Sequence, residues 1–452
     1  MKKRQFFLIS YWTSMFGKLL ATLFVAGILV ALNSCKKGDE PGFYFTEKTK
    51  ANVAIDWYRL QTRILLQRNS ALLNNASFAF IGTGLYEAVR NEIPHSVSLS
   101  ARLSKMPAMP LIEEHKRYSW EESANAAMAG MVRTIDNSLT TAELASIDSL
   151  EKAWNDRLEK CTSKEVFSRS QNYGRSIASA IYKWSLTDDL NLSNTGYVAP
   201  VFEGAWVPTP PAFINPPVLP YAGQAHTLVA ANSKTIAPPF PAAYSESPKS
   251  SYYKIARELY DKSKHLTDEQ KNIALFWFDL GDGLGYTPGG HDMVLTTEAL
   301  EQTHSCLAIA AETYAKAGIA ERDGIIACFK SKYKYTLERP VTYIQKVIEK
   351  TWLPFIPTPP HPEYPAAHSA ITGSVMEAIS AVLGDHVKIT DHAYDFRGFA
   401  PRTFNSIFAA AEEAGISRLY GGIHYRPSIE AGLKLAKDVG SKVGAIKLLD
   451  ID

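Results

Sequence analysis

The chain has 452 residues, 46% of them hydrophobic and 21% charged, which suits one large or two ordinary globular domains. Its 48 Lys and Arg against 46 Asp and Glu leave a formal charge of +2, so nothing points to nucleic acid or an acidic membrane surface as the main partner. Any cationic site must therefore be local.

At the N-terminus, Met1-Lys2-Lys3-Arg4 is a basic start, Leu19 to Leu32 is an apolar run too short to span a bilayer comfortably, and Leu32-Asn33-Ser34-Cys35 follows. This resembles a bacterial lipoprotein signal, in which the cysteine becomes the lipidated first residue, although Asn33 is not the small residue usual at its position. The expectation is a signal segment over 1–35, a lipid anchor at Cys35 on the periplasmic side or the cell surface, and a polar tether over 36–46. An uncleaved anchor or a plain secretory signal is the alternative. Cys161, Cys306 and Cys328 show no CxxC and no zinc spacing, so buried free thiols are expected, with one disulfide possible in an exported chain.

From Glu47 the dominant period is helical. Ser119-Trp120-Glu121-Glu122, Thr140-Thr141-Ala142-Glu143, Thr162-Ser163-Lys164-Glu165 and Thr267-Asp268-Glu269-Gln270 each set Ser or Thr three residues before Glu or Gln, the capping-box pattern, ahead of apolar residues such as Ala127, Met131 and Ile135 at helical steps. No period-2 strand run is evident, and the predicted fold is all-α. The pattern stops over 189–250, where Pro208, Pro210, Pro211, Pro216, Pro217, Pro220, Pro238, Pro239 and Pro241 crowd around Trp206, Phe213 and Tyr221. So long a loop is usually functional or a linker, and it is predicted to cross from an N-terminal helical half (47–188) to a C-terminal bundle (251–452), packing over a site mouth. Helices are expected at Tyr252 to Lys262, Glu269 to Phe278, Asp292 to Lys316 and Arg322 to about Tyr335. The Gly-rich run from Gly281 to Gly290 lacks the Gly-Lys-Ser/Thr ending of a phosphate loop and follows no strand.

The chemistry is concentrated downstream. Lys332 and Arg339 are seven residues apart, so in a continuous helix both would point the same way, two turns apart. Pro359-Pro360-His361-Pro362-Glu363-Tyr364-Pro365-Ala366-Ala367-His368 is a proline-locked approach to a helix, predicted to aim the N–H groups of Ala366, Ala367 and His368 at an anion. In Ser417-Arg418-Leu419-Tyr420-Gly421-Gly422-Ile423-His424 a Gly-Gly turn can bring Arg418 and His424 to one point. Singly, each cation suits a solvated surface and each histidine a structural role. Together they are the inventory a phosphate-sized oxyanion needs: arginine forks, a lysine charge, helix-start donors, one histidine to bond and one to move a proton.

Lys332-x6-Arg339-Pro340, Pro365-Ala366-Ala367-His368 and Ser417-Arg418-x5-His424 resemble, in order and spacing, the three-part signature of the vanadium-dependent haloperoxidases and type 2 phosphatidic acid phosphatases. Tyr364-Pro365 and the run Tyr420 to Arg426 look like the haloperoxidase branch. The resemblance implies two helical bundles and hydrogen-peroxide-dependent halide oxidation at vanadate bound by His424. Lys332, Arg339, Arg418 and the Ala367 N–H would neutralise its oxygens, and His368 would act as acid or base. A phosphate-monoester phosphatase, with His424 as nucleophile and phosphate in the same site, is the alternative; a catalytically impaired oxyanion-binding lipoprotein is another. The chain departs from the signature where it has Ala366 for Ser, Ala367 for Gly and, four residues after the last histidine, Ser428 for Asp. Ser428 is a weaker partner for His424 and could equally cap a helix over Ile429 to Gly440. His361 stands where the family's chloroperoxidases tend to carry Phe and its bromoperoxidases His, so bromide or iodide oxidation is expected; a plain loop histidine fits equally.

Overall fold

The computed structural model describes residues 49–448 except 67–76, 94, 136–137, 191 and 280–284. The expected signal segment and tether, and residues 281–284 of the Gly-rich run, lie outside these. Among the described residues the fold is all-α, as predicted. In chain order the helices are α1 (Asn52–Leu66), α2 (Ser77–Val89), α3 (Trp120–Ile135), α4 (Thr141–Leu158), α5 (Lys164–Ser185), α6 (Ser251–Lys264), α7 (Asp268–Phe276), α8 (Pro288–Gln302), α9 (Leu307–Tyr335), α10 (Pro340–Val347), α11 (Ala367–Leu383), α12 (Ile407–Tyr420) and α13 (Arg426–Gly444). None is long and apolar enough to cross a membrane.

Local sequence explains most boundaries. Thr140 and Thr267 form complete capping boxes with Glu143 and Gln270, while α5 is capped by Ser163 rather than by Thr162. In α5 the buried residues Tyr173, Ile177, Ile181 and Trp184 recur at three- and four-residue steps, leaving one apolar stripe to cover a core. By contrast α9 is buried on every face over most of its 29 residues, which marks it as the central strut. One apolar cluster runs from Ala51 to Leu448, so the two halves share a core.

Cys328 is the buried free thiol expected and Cys306 is free and half-buried, whereas Cys161 is exposed and disulfide-bonded. Three further expectations are corrected. The helix predicted over Asp292 to Lys316 is broken, because His304 takes φ 51° and Leu307 N donates to Thr49 O (2.7 Å), so α8 and α9 are separate. Lys332 and Arg339 are not on one helix: Thr336 at φ 47° ends α9, and Arg339 becomes the N-cap of α10 with Pro340 at its first position. Two three-residue strands, β1 (Ile389–Asp391) and β2 (Arg402–Phe404), pair antiparallel with Asp391 opposite Arg402; they are too short to show alternation in sequence.

The Pro-rich crossover is packed, not a solvated linker. Trp206 N donates to Thr336 O (2.7 Å), Glu338 N to Gly204 O (2.9 Å), Val218 N to Pro360 O (2.9 Å) and Tyr364 Oη to Pro238 O (2.7 Å). On α9, the buried Asp323 carboxylate accepts from Leu228 N, Val229 N and Asn232 Nδ2 at 2.7–3.0 Å. The crossover is thus strapped to the backbone that carries the cationic residues. The strut itself rests on α2 through two glycines: a Cβ on Gly82 would stand 2.4 Å from Tyr314 O, and one on Gly318 2.4 Å from Phe78 C and O. Gly318→Ala is expected to lower unfolding free energy by about 1–3 kcal/mol, since backbone cannot yield as a side-chain tip can. Denaturant titration showing no change would contradict this close crossing.

Candidate active site

All six cationic or imidazole groups singled out in sequence, Lys332, Arg339, His361, His368, Arg418 and His424, converge at one buried place between the end of α9, the start of α11 and the α12–α13 turn. The turn works as expected: Arg418 sits in the last turn of α12, Gly422 takes φ 78°, and Ile423 N returns to Arg418 O (3.1 Å), which leaves His424 beside the helix it followed.

The cations are held more by backbone than by carboxylates. Lys332 Nζ donates to Pro362 O (2.8 Å), Glu363 O (3.0 Å) and Pro365 O (2.6 Å), using all three ammonium protons. Arg339 donates through Nε to His361 O (2.8 Å), through Nη1 to Ile423 O (3.0 Å) and through Nη2 to Pro359 O (3.1 Å). Arg418 donates through Nε to Ser417 Oγ (2.9 Å) and through Nη2 to Trp277 O. Burial lowers the pKa of Lys332, so a bound anion would favour its charged form.

The α11 start is narrower than predicted. Pro365 precedes the N-cap Ala366, and Ala366 N donates to Ser428 O (3.0 Å), so that donor is spent. The first three helical residues, Ala367, His368 and Ser369, are the ones whose N–H groups a helix start leaves free. Ala367 is at ordinary helical φ, which makes its departure from Gly harmless to the backbone.

The histidine geometry assigns protons. Arg339 Nη1 lies 3.2 Å from His424 Nε2, and a guanidinium can only donate, so Nε2 is the acceptor and Nδ1 carries the hydrogen. That hydrogen points at Glu363 Oε1, 3.0 Å away. Tyr425 N also donates to Oε1 (3.0 Å), and Ser428 Oγ donates to Oε2 (2.6 Å). Ser428 is therefore not a helix cap; α13 begins after Tyr425 and Ser428 faces inward. His361 obeys the same logic: Arg339 Nη2 donates to its Nδ1 (3.0 Å), so that nitrogen cannot also donate to Pro362 O. Burial and the neighbouring Lys332 and Arg339 charges push both His424 and His361 well below the usual histidine pKa, so both are neutral.

His368 faces a second carboxylate. Its Nε2 is 3.4 Å from Asp279 Oδ2, too long for a good hydrogen bond, and neither atom has another partner. Asp279 Oδ1 accepts from Tyr394 Oη (2.5 Å) and His291 Nδ1 (3.0 Å), and His291 Nε2 reaches Asp391 Oδ2 (2.8 Å). His291, buried between two carboxylates, is raised well above its usual pKa by their charge and is an imidazolium. Sequence reading missed Glu363, Asp279 and His291. For Glu363 the available signal was an acidic residue set between Pro362 and Pro365 beside the predicted helix start.

These groups fit a tetrahedral oxyanion such as vanadate: a neutral imidazole with an unprotonated Nε2, buried guanidinium groups, a helix start, and the unpartnered His368 Nε2. The family model for the VCPO second helical-bundle domain matches residues 312–447. A bacterial vanadium-dependent iodoperoxidase of known structure is 30% identical, the match covering 91% of this chain and 99% of that one, with TM-score 0.77. Two bacterial vanadium-dependent chloroperoxidase structures, apo and holo, are 16% identical over 82% and 83% of this chain and 92% of theirs, with TM-scores of 0.61 and 0.55, a likeness of fold. No curated protein matches the sequence significantly.

Burial, and then the Arg418 charge, lower the His368 pKa to about 4, against the pull of Asp279. The sign follows: an unfolded histidine near 6.5 takes its proton first, so stability is intact above about pH 6.5 and falls as pH drops toward 4, by at most ~1.4 kcal/mol per unit from this group. NMR titration of the His368 ring should give a midpoint near 4; one at the ordinary histidine value would contradict the burial described.

Proposed function

The chain belongs to the vanadium-dependent haloperoxidase superfamily, and we propose that it oxidises halide with hydrogen peroxide at a vanadate held by His424, with iodide the halide it handles best. The observation that carries this is the His424 tautomer: a neutral ring presents an Nε2 lone pair among Arg339, Lys332 and Arg418, the form a metal ligand needs. Vanadate, when bound, supplies the Lewis-acidic centre at which peroxide is activated. The chain's own part is electrostatic. Arg339 and Arg418 place fixed charge beside the oxyanion, the α11 start adds backbone donors, and exclusion of water strengthens each contact. His368, neutral at pH 7, is the group that can take up and return a proton there.

Iodide is favoured on two grounds. The 30%-identical relative is named an iodoperoxidase. Where the family signature has Ser, Ala366 carries no hydroxyl to give an oxyanion, and one charge-assisted bond lost is worth ~1.5–3 kcal/mol, so the site suits the halide that gives up electrons most easily. Export on a lipid anchor at Cys35 is also proposed, on the N-terminal sequence alone.

Residues 36–452 loaded with orthovanadate should oxidise iodide with hydrogen peroxide faster than bromide, and His424→Ala should abolish it. Aryl-phosphate hydrolysis without vanadate, blocked by vanadate, would assign the phosphatase reading instead. Ala366→Ser should tighten vanadate binding by about 10- to 100-fold if its hydroxyl restores one such hydrogen bond. In cells, wild type should partition with membranes and Cys35→Ser should not.

A further inference from the structure

We propose that Glu363 is the positioning residue of this site: from the turn Pro362–Pro365 it holds His424 by Nδ1–H, the task that the sequence signature gives to an acid at position 428. The oxyanion part of this inference rests on the function proposed above.

The geometry is specific. Glu363 Oε1 accepts from His424 Nδ1 and Tyr425 N, both at 3.0 Å, so one oxygen fixes the ring and the backbone that carries it. The other oxygen accepts from Ser428 Oγ at 2.6 Å. Residue 428 thus still touches the His-orienting group, but as a donor to a carboxylate that has moved to the other side of the pair. The exchange is reciprocal. Two carboxylates here would face each other in a buried space, which favours protonating one of them, so an acid at 363 fits a hydroxyl at 428.

Glu363 is also built in rather than tolerated. It is fully buried, its N–H donates to Leu337 O (2.9 Å), and its own carbonyl accepts from Lys332 Nζ (3.0 Å). Lys332 therefore pins the turn from which Glu363 reaches across, and the carboxylate in turn stands near the Lys332 and Arg339 charges. Arg339 donates to the opposite ring nitrogen, so His424 is gripped at both edges and its ring cannot flip without losing both contacts. Partners of this kind typically govern metal affinity by 10- to 100-fold.

The test is calorimetric titration of wild type, Glu363→Gln, Ser428→Asp and the double variant with orthovanadate. Glu363→Gln should raise Kd by about 10- to 100-fold with stoichiometry unchanged. Ser428→Asp alone should also weaken binding, whereas the double variant should recover to within about tenfold of wild type, because the acid has been moved back across the pair. An unchanged Kd in Glu363→Gln overturns the proposal, as does a loss of stoichiometry alone, which marks a purely structural role. NMR of the protein without vanadate gives a readout independent of the cofactor: the His424 Hδ1 proton should be far downfield and exchange-protected in wild type and shift upfield in Glu363→Gln. If wild type binds no vanadate, the proposed function fails while this proton still decides the role of Glu363.

Discussion

Three cations taken out of water, Lys332, Arg339 and Arg418, are the constraint around which the C-terminal half is built. An ion moved into protein interior loses several kcal/mol of hydration unless donors and charges replace it. Here the replacement is mostly backbone: carbonyls from 359–365 and 423 converge on Lys332 and Arg339, and the Trp277 carbonyl on Arg418. Carbonyls neutralise without carrying charge, so the pocket keeps a net positive field for an anion. That solution demands irregular chain at the right depth, and it explains the prolines. The 359–365 stretch supplies unspent carbonyls that a helix would have used on itself, and the crossover is strapped to it through Val218 N and Tyr364 Oη.

Beyond the cations, two histidines are each set against a carboxylate from a different element, and the two settings differ. His424 meets Glu363 at 3.0 Å with both ring edges engaged, the arrangement of a fixed ligand. His368 stands 3.4 Å from an Asp279 that Tyr394 and the His291 imidazolium already occupy, and burial, with the Arg418 charge, lowers its pKa to about 4 against the pull of that carboxylate. One histidine is immobilised and the other can exchange a proton. Division of labour between like side chains is set by environment, as in any pair whose neighbours push their properties apart.

Much of this was legible in the sequence, and the illegible part has a common cause. Helix starts announced themselves because a cap is local: Thr140 and Thr267 need only Glu143 and Gln270. The three cationic clusters were legible because their spacing matches a known signature, although the argument from a single helix for Lys332 and Arg339 failed at Thr336, whose left-handed backbone carries no mark in a threonine. Glu363, Asp279 and His291 were not legible. Their partners lie 61, 89 and 100 residues away, and no local pattern encodes a hydrogen bond across that distance. Ser428 shows the danger of reading one position alone: as an isolated departure it looked like lost chemistry, and beside Glu363 it is half of an exchanged pair.

The same network bears on which ligands the site admits. Arg339 Nη1 sits on the His424 Nε2 lone pair at 3.2 Å, so His424 can offer that lone pair only by giving up a charged donor. An uncharged ligand would leave the guanidinium short of an acceptor in a buried place, at a cost of ~1–3 kcal/mol or more. An oxyanion brings its own oxygens, so the donor released by the ring finds a new acceptor at once. Selection for a ligand both electrophilic at its centre and negatively charged at its rim therefore follows from one contact, and Glu363 sharpens it by keeping the ring in the tautomer for which that contact exists.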